Sequence, residues 1–88
     1  MSPSNTQKLI AGVCWPFKGE PTVGKIKNRY GFKDNEIDRA YGVIVVDPSA
    51  FYYAFLVSYD AFNRVKAGLK GKLRDELTGP WSNPKVTI

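Results

Sequence analysis

Hydrophobic positions are concentrated between residues 41 and 69, where their spacing predicts a strand, a turn, a second strand and a helix. Residues 43–46 form an unbroken β-branched run, which is typical of an interior strand packed on both faces. Asp47 and Pro48 favour a type I turn after this run. Residues 51–57 then alternate between two faces, one of which carries Phe51, Tyr53, Phe55 and Val57. We therefore expect an antiparallel hairpin.

The helix after the hairpin is predicted from its cap and from the spacing of its apolar residues. Ser58 suits the N-cap position, because its side chain can accept a hydrogen bond from the first turn. Phe62, Val65 and Leu69 recur at helical spacing and place one face against the sheet. Gly71 is a natural left-handed stop for this helix.

The N-terminal half of the chain predicts one strand and two short helices. Residues 8–14 are short and apolar and predict the first strand. Residues 22–30 predict a helix that Thr22 caps and Gly31 ends. Residues 34–40 predict a second short helix, with Asp34 as its cap and Ile37 as its buried residue.

The two ends of the chain complete the predicted fold. Residues 1–7 are polar and predict a flexible tail, which leaves residues 8–88 as a single domain. Residues 73–77 fit either a helical turn or a strand fragment, residues 79–84 predict a loop, and residues 85–88 predict a last strand. The resulting βαββαβ order predicts an α+β fold with an antiparallel sheet and two or three helices on one face. It fits the ferredoxin-like arrangement, in which the first and third strands are central.

Composition and charge limit the class of protein. The 88 residues are 43% hydrophobic and 14% aromatic, which favours a packed core over a disordered chain. Thirteen basic against eight acidic residues give a net charge of +5, which favours polyanions or acidic protein surfaces as partners. The single cysteine, Cys14, excludes an intrachain disulfide, and no apolar run is long enough to span a membrane. We expect a cytoplasmic protein without a membrane partner.

One residue type on which many catalytic and metal sites depend is missing from the sequence. The chain has no histidine, which removes Ser–His and Cys–His nucleophile activation and the commonest metal ligand. Residues 19–26 begin as a phosphate-binding loop does, but Ile26 stands where serine or threonine would coordinate magnesium. We therefore expect a binding module rather than an enzyme, with no metal and no cofactor.

Nucleic-acid binding is slightly favoured, because basic residues fall in two groups and aromatic residues lie on a strand. Tyr53 and Phe55 are expected to stack on bases from an open sheet face. The basic residues predicted to contact phosphates are Lys25, Lys27, Arg29, Arg64, Lys66, Lys70, Lys72 and Arg74.

Two stretches of the chain each match part of the pattern of a known nucleic-acid-binding module. Residues 53–72 are similar to the strand and last helix of an RNA-recognition module, although Phe51 and Tyr52 stand where a basic residue and glycine begin that motif. Residues 22–40 fit the outline of a helix-turn-helix, but the acidic residues of the second predicted helix would repel phosphates.

The alternative function is a protein-binding regulator or inhibitor that occludes the surface of a partner. An exposed hairpin edge can add a strand to a partner sheet, and the basic residues would then only steer association. Large aromatic side chains often carry the binding energy of interfaces. The candidates here are Trp15, Tyr52, Tyr53, Tyr59 and Trp81.

Overall fold

Over residues 8–81 the fold consists of a four-stranded antiparallel sheet and three helices. The computed structural model describes residues 8–81, with Trp81 described by its backbone alone, so the predictions for residues 1–7 and 85–88 lie outside the described residues. In chain order the elements are β1 (Lys8–Cys14), α1 (Val23–Tyr30), β2 (Val43–Asp47), β3 (Tyr52–Ser58), α2 (Tyr59–Gly68), α3 (Gly71–Glu76) and β4 (Leu77–Trp81).

The strands lie in the order β2-β3-β1-β4, so β1 and β3 occupy the centre of the sheet. β1 pairs with β3 along its whole length, from Lys8 opposite Ser58 to Cys14 opposite Tyr52. The prediction of a loop at residues 79–84 is wrong for residues 79–81, which belong to β4. Proline is tolerated in such a strand because β4 lies at an edge, where a missing N–H breaks no ladder in the centre of the sheet.

The β2 strand lies at the other edge and pairs with β3 alone among the described strands. The prediction that residues 43–46 form an interior strand is therefore wrong. Ile44, Val45 and Val46 are 47%, 40% and 53% exposed. A β-branched run indicates strand propensity, which edge and centre share, and does not indicate how many neighbours the strand has.

Capping residues and glycines predicted some of the helix ends correctly and others wrongly. Thr22 caps α1 through its side chain, and Gly31 ends it with a left-handed φ of 88°, as predicted. Ser58 caps α2, also as predicted. The predicted stop at Gly71 is wrong, since α2 ends at Gly68 and Gly71 is the first residue of α3.

The helix predicted over residues 34–40 is only a 3-10 turn, Asp34–Glu36. The chain then becomes extended, and buried Ile37 bridges to Val57 of β3. The Asp34 carboxylate caps no helix, since it pairs instead with Lys27 and Arg39.

The core lies between one face of the sheet and the helices. Tyr53 and Phe55 of β3 are 5% and 0% exposed and belong to the same buried cluster as Ile26 of α1 and Phe62 of α2. Phe32, which follows α1, packs edge-to-face on Phe55 with ring centroids 6.0 Å apart. Each large side chain buried in this way contributes roughly 1.5–3 kcal/mol of transfer free energy.

The opposite face of the sheet carries Tyr52, whose ring lies across β1. Its hydroxyl hydrogen-bonds with Oγ1 of Thr78 in β4 over a distance of 2.7 Å. A Cβ at Gly12 would collide with that hydroxyl, so only glycine leaves room for the ring. The contact therefore links β3 to β4 across the strand between them.

Candidate nucleic-acid interface

A groove of about 540 Å³ lies between the loop that follows β1, the helix α1 and the helix α3. Of the seven described residues that line it, three are cations and none is a carboxylate. The groove therefore offers an anion positive charge and several hydrogen-bond donors. We call it the basic groove, and its lining residues are Trp15, Phe17, Lys18, Lys25, Asn28, Arg29 and Leu73.

The loop after β1 brings two aromatic side chains to the basic groove. Trp15 is buried, and its backbone N–H donates to the Phe51 carbonyl at 2.9 Å, which ties the start of the loop to the hairpin. Phe17 is 50% exposed, yet its ring is held by two neighbours. It meets Trp15 edge-to-face at 5.3 Å between centroids, and the Arg29 guanidinium lies over it at 4.7 Å.

The Arg29 side chain is fixed by a carboxylate of α3. Its Nε and Nη2 each donate to Glu76 at 2.9 Å, and the Tyr30 hydroxyl donates to the same carboxylate. The side chains of Arg29 and Glu76 are 24% and 12% exposed, so the ion pair is partly buried. The hydrogen bond to Glu76 raises the pKa of Arg29 above its usual range. Arg29 therefore remains charged, and it joins α1 to α3 beside the basic groove.

Hydrogen bonds from basic or hydroxyl groups lower the pKa of three carboxylates, Asp34, Glu36 and Glu76. Burial would raise the pKa of Glu76, but hydrogen bonds from Arg29 and Tyr30 outweigh burial and lower it. A hydrogen bond from Lys27 lowers the pKa of Asp34, and Arg64 does the same for Glu36. Burial, followed by the hydrogen bond to Glu76, raises the pKa of Tyr30.

The pKa shifts of Glu76 and Tyr30 predict that the free energy of unfolding falls at both acidic and alkaline pH. A carboxylate with a lowered folded pKa contributes stability above its unfolded pKa, so the free energy of unfolding should fall as pH drops below the ordinary glutamate value of 4.5. A tyrosine with a raised folded pKa contributes stability that is lost as pH rises past its ordinary value of 10.0. Urea unfolding at a series of pH values measures both arms. An acid arm that is equally steep in Glu76→Gln would contradict the assignment to Glu76, and Tyr30→Phe tests the alkaline arm in the same way.

The basic residues predicted to contact phosphates are spread over several places. Lys25 and Arg29 line the basic groove, and Lys72 is close enough to Glu76 to lower its pKa electrostatically. Lys66 and Arg74 instead line a second groove of about 360 Å³, beside α2 and α3. The basic residues predicted to contact phosphates therefore do not share one groove.

Several of these basic side chains are already held by protein partners. The Lys27 Nζ donates to Asp34 at 2.8 Å, and Arg64 makes two hydrogen bonds of 2.8 and 2.9 Å to Glu36. The Lys66 Nζ donates to the Leu77 carbonyl at 2.8 Å. A phosphate would have to compete with these contacts. Lys25, Lys70, Lys72 and Arg74 are exposed, with Arg74 in a 3.5 Å ion pair with Asp75.

The predicted aromatic contacts fit the structure less well. Tyr53 and Phe55 are buried under the helices, so the stacking role predicted for them does not fit this placement. Trp15 is also buried, and Tyr52 is half-buried with its hydroxyl bonded to Thr78. Tyr59 is 45% exposed, and the side chain of Trp81 lies outside the described residues.

Sequence reasoning missed Phe17, Lys18 and Asn28 as groove residues. A signal was present, because Phe17 and Lys18 are an aromatic–basic pair in a loop rich in proline and glycine, immediately before a basic helix. Asn28 carries no such signal. It becomes a groove residue because it lies one helical turn after Lys25.

The chain matches no protein-family model, no curated protein and no solved structure. Over residues 8–81, no helix has both the length and the apolar character needed to cross a bilayer. Within that same part of the chain, histidine, cysteine and carboxylate side chains form no group of three or more that could hold a metal ion. The residues of the basic groove and their contacts therefore provide the evidence for a function.

Proposed function

We propose that the protein binds nucleic acid through the basic groove. The observation that carries this proposal is the presence of Lys18, Lys25 and the exposed ring of Phe17 in one groove, where no carboxylate is found among the described lining residues. Lysine side chains gain affinity for phosphates by releasing condensed counterions, and aromatic rings stack on bases. The net charge of +5 supports association by long-range attraction. The lack of histidine supports a binding role over a catalytic one.

A ferredoxin-like fold is part of the proposal. The order β2-β3-β1-β4, with the first and third strands at the centre, supports this assignment. The basic groove is formed by α1, α3 and a loop, and not by a face of the sheet. The proposed mode of binding therefore differs from that of an RNA-recognition module, which uses aromatic residues of its sheet.

Fluorescence anisotropy tests the proposal by measuring how the protein binds labelled DNA and RNA, each as a single strand and as a duplex. We expect an affinity whose logarithm falls linearly with the logarithm of salt concentration between roughly 50 and 300 mM, because phosphate contacts release counterions. Absence of binding to every one of these nucleic acids at the lowest salt concentration would refute the proposal.

A protein-binding role is the second candidate, and the exposed edge of β2 favours it. Natural proteins usually protect an edge strand with charged residues or proline, but residues 43–46 of β2 carry neither. Ile44, Val45 and Val46 are all exposed there. The edge offers backbone N–H and C=O groups at strand spacing, so its partner would be an extended segment of another protein with apolar residues.

Peptides selected from a displayed library against the wild-type protein test this second candidate. Binders should be extended, alternating apolar sequences, and Ile44→Lys should weaken them about tenfold or more by placing a charge on the edge. Ser49→Lys, which adds the same charge on the exposed turn beside β2, should bind them as wild type does. Equal binding to both variants would contradict pairing at the edge.

A further inference from the structure

We infer that the basic groove is specific for single-stranded nucleic acid, with one base stacked on Phe17 and the adjoining phosphate held by Lys18 and Lys25. This inference rests on the proposed function and adds the form of the nucleic acid to it.

Phe17 is an exposed aromatic residue whose orientation is nevertheless fixed. It lies on a loop whose neighbours Pro16 and Lys18 are also exposed, so burial in the core does not hold it. The edge of Trp15 and the guanidinium of Arg29 restrain its ring, and half of its surface stays accessible. A ring oriented before binding spares a ligand part of the entropic cost of ordering the site. An accessible, oriented ring beside lysines matches a planar base joined to a phosphate.

The groove has the size of a site for a small ligand, because about 540 Å³ lies within the range of roughly 300–1,000 Å³ for such pockets. That volume suits a nucleotide unit. In a duplex the faces of the bases are covered by their neighbours, so a base can stack on Phe17 only from a single strand. The Asn28 amide, which also lines the groove, offers a donor and an acceptor to a base edge.

The cations of the groove have different roles. Arg29 lies over the Phe17 ring and donates two hydrogen bonds to Glu76. The negative charge of Glu76 offsets that of Arg29, so Arg29 positions the ring and attracts a phosphate only weakly. Phosphate contact is therefore left to Lys18 and Lys25. Two such contacts with a single strand predict a slope of log affinity against log salt of about −1.4.

Phe17→Leu and Phe17→Trp test the stacking contact with the least risk to folding, because both keep an apolar side chain against Trp15. Phe17→Leu should weaken binding to a single-stranded oligonucleotide about tenfold and leave the salt slope unchanged, since no phosphate contact is lost. Phe17→Trp should bind at least as tightly as wild type. Phe51→Leu makes the same change at an exposed phenylalanine outside the groove lining and should have no effect.

The outcomes separate this inference from the proposed function. If Phe17→Leu binds as wild type does, or if a duplex of equal length binds as tightly as the single strand, the inference is overturned while nucleic-acid binding stands. If the wild-type protein binds neither form at low salt, the proposed function fails and the inference falls with it.

Discussion

Lys25→Glu should lower the affinity for a single-stranded oligonucleotide about a hundredfold at low salt and should slightly stabilise the domain. The substitution removes a phosphate contact and adds a repulsive charge in the basic groove. Lys25 is also the third residue of α1, and its N–H donates to Oγ1 of the N-cap Thr22 at 3.1 Å. No acid occupies the first turn of α1. Glutamate at position 25 therefore completes a capping box and interacts favourably with the helix dipole, which should raise the free energy of unfolding by about 0.5 kcal/mol.

Anisotropy titration and thermal unfolding measure the two effects on the same samples. Lys33→Glu is the matched control, because Lys33 is exposed and lies outside the groove lining. The substitution changes the net charge of the protein by the same amount as Lys25→Glu. We expect the control to bind within about threefold of wild type near 0.15 M salt, where distant charges are screened. Equal losses in both variants would show that net charge alone drives binding, and unchanged binding in Lys25→Glu would exclude the groove.

Glu76→Ala should destabilise the domain by about 2–3 kcal/mol, the largest effect on stability expected from removing a single ion pair here. It leaves the Arg29 guanidinium and the Tyr30 hydroxyl partly buried without their shared acceptor, and the cost of such unpaired groups exceeds the value of the pair itself. The loss should appear in urea unfolding as a lower midpoint with little change in the slope.

Asp75→Ala is the matched control for Glu76→Ala, because it removes the adjacent carboxylate. Asp75 is 72% exposed and forms a 3.5 Å ion pair with Arg74. Exposed pairs of this kind contribute little to stability, so the midpoint should hardly move. If the two variants lost the same stability, the connection between α1 and α3 through Glu76 would be refuted.

The elements that sequence reasoning predicted well are those set by residues within a few positions of one another. Thr22, Gly31 and Ser58 act on the helix turns next to them, and the alternation in β3 needs only its own residues. The edge position of β2 could not be predicted in this way. It depends on which strand pairs on each side of β3, and an apolar β-branched run is compatible with either position. For β4, pairing of Thr78 with the distant Gly12 outweighs a local composition typical of a loop.

The candidate site was harder to predict, because the availability of a charge depends on partners far along the chain. Arg29 and Glu76 are 47 residues apart, and Arg64 and Glu36 are 28 apart, so no local pattern shows that these cations are paired. The face predicted for residues 51–57 is confirmed for Tyr53, Phe55 and Val57, but Phe51 precedes β3 and is 52% exposed. Both faces of β3 are apolar, so the packing of the helices, and not the sequence pattern, decides which face is buried. Phe17 becomes notable only when α1 lies beside its loop.

The most direct test of binding at the basic groove is an NMR titration of the isotope-labelled protein with a short single-stranded oligonucleotide, following each backbone amide. We expect the perturbed amides to cluster at Trp15, Phe17 and Lys18, at residues 25–29 and around Leu73, where the loop, α1 and α3 form the groove. Amides of β2, on the edge of the sheet, should stay unchanged. Perturbations confined to β2, or none at low salt, would contradict nucleic-acid binding at this groove.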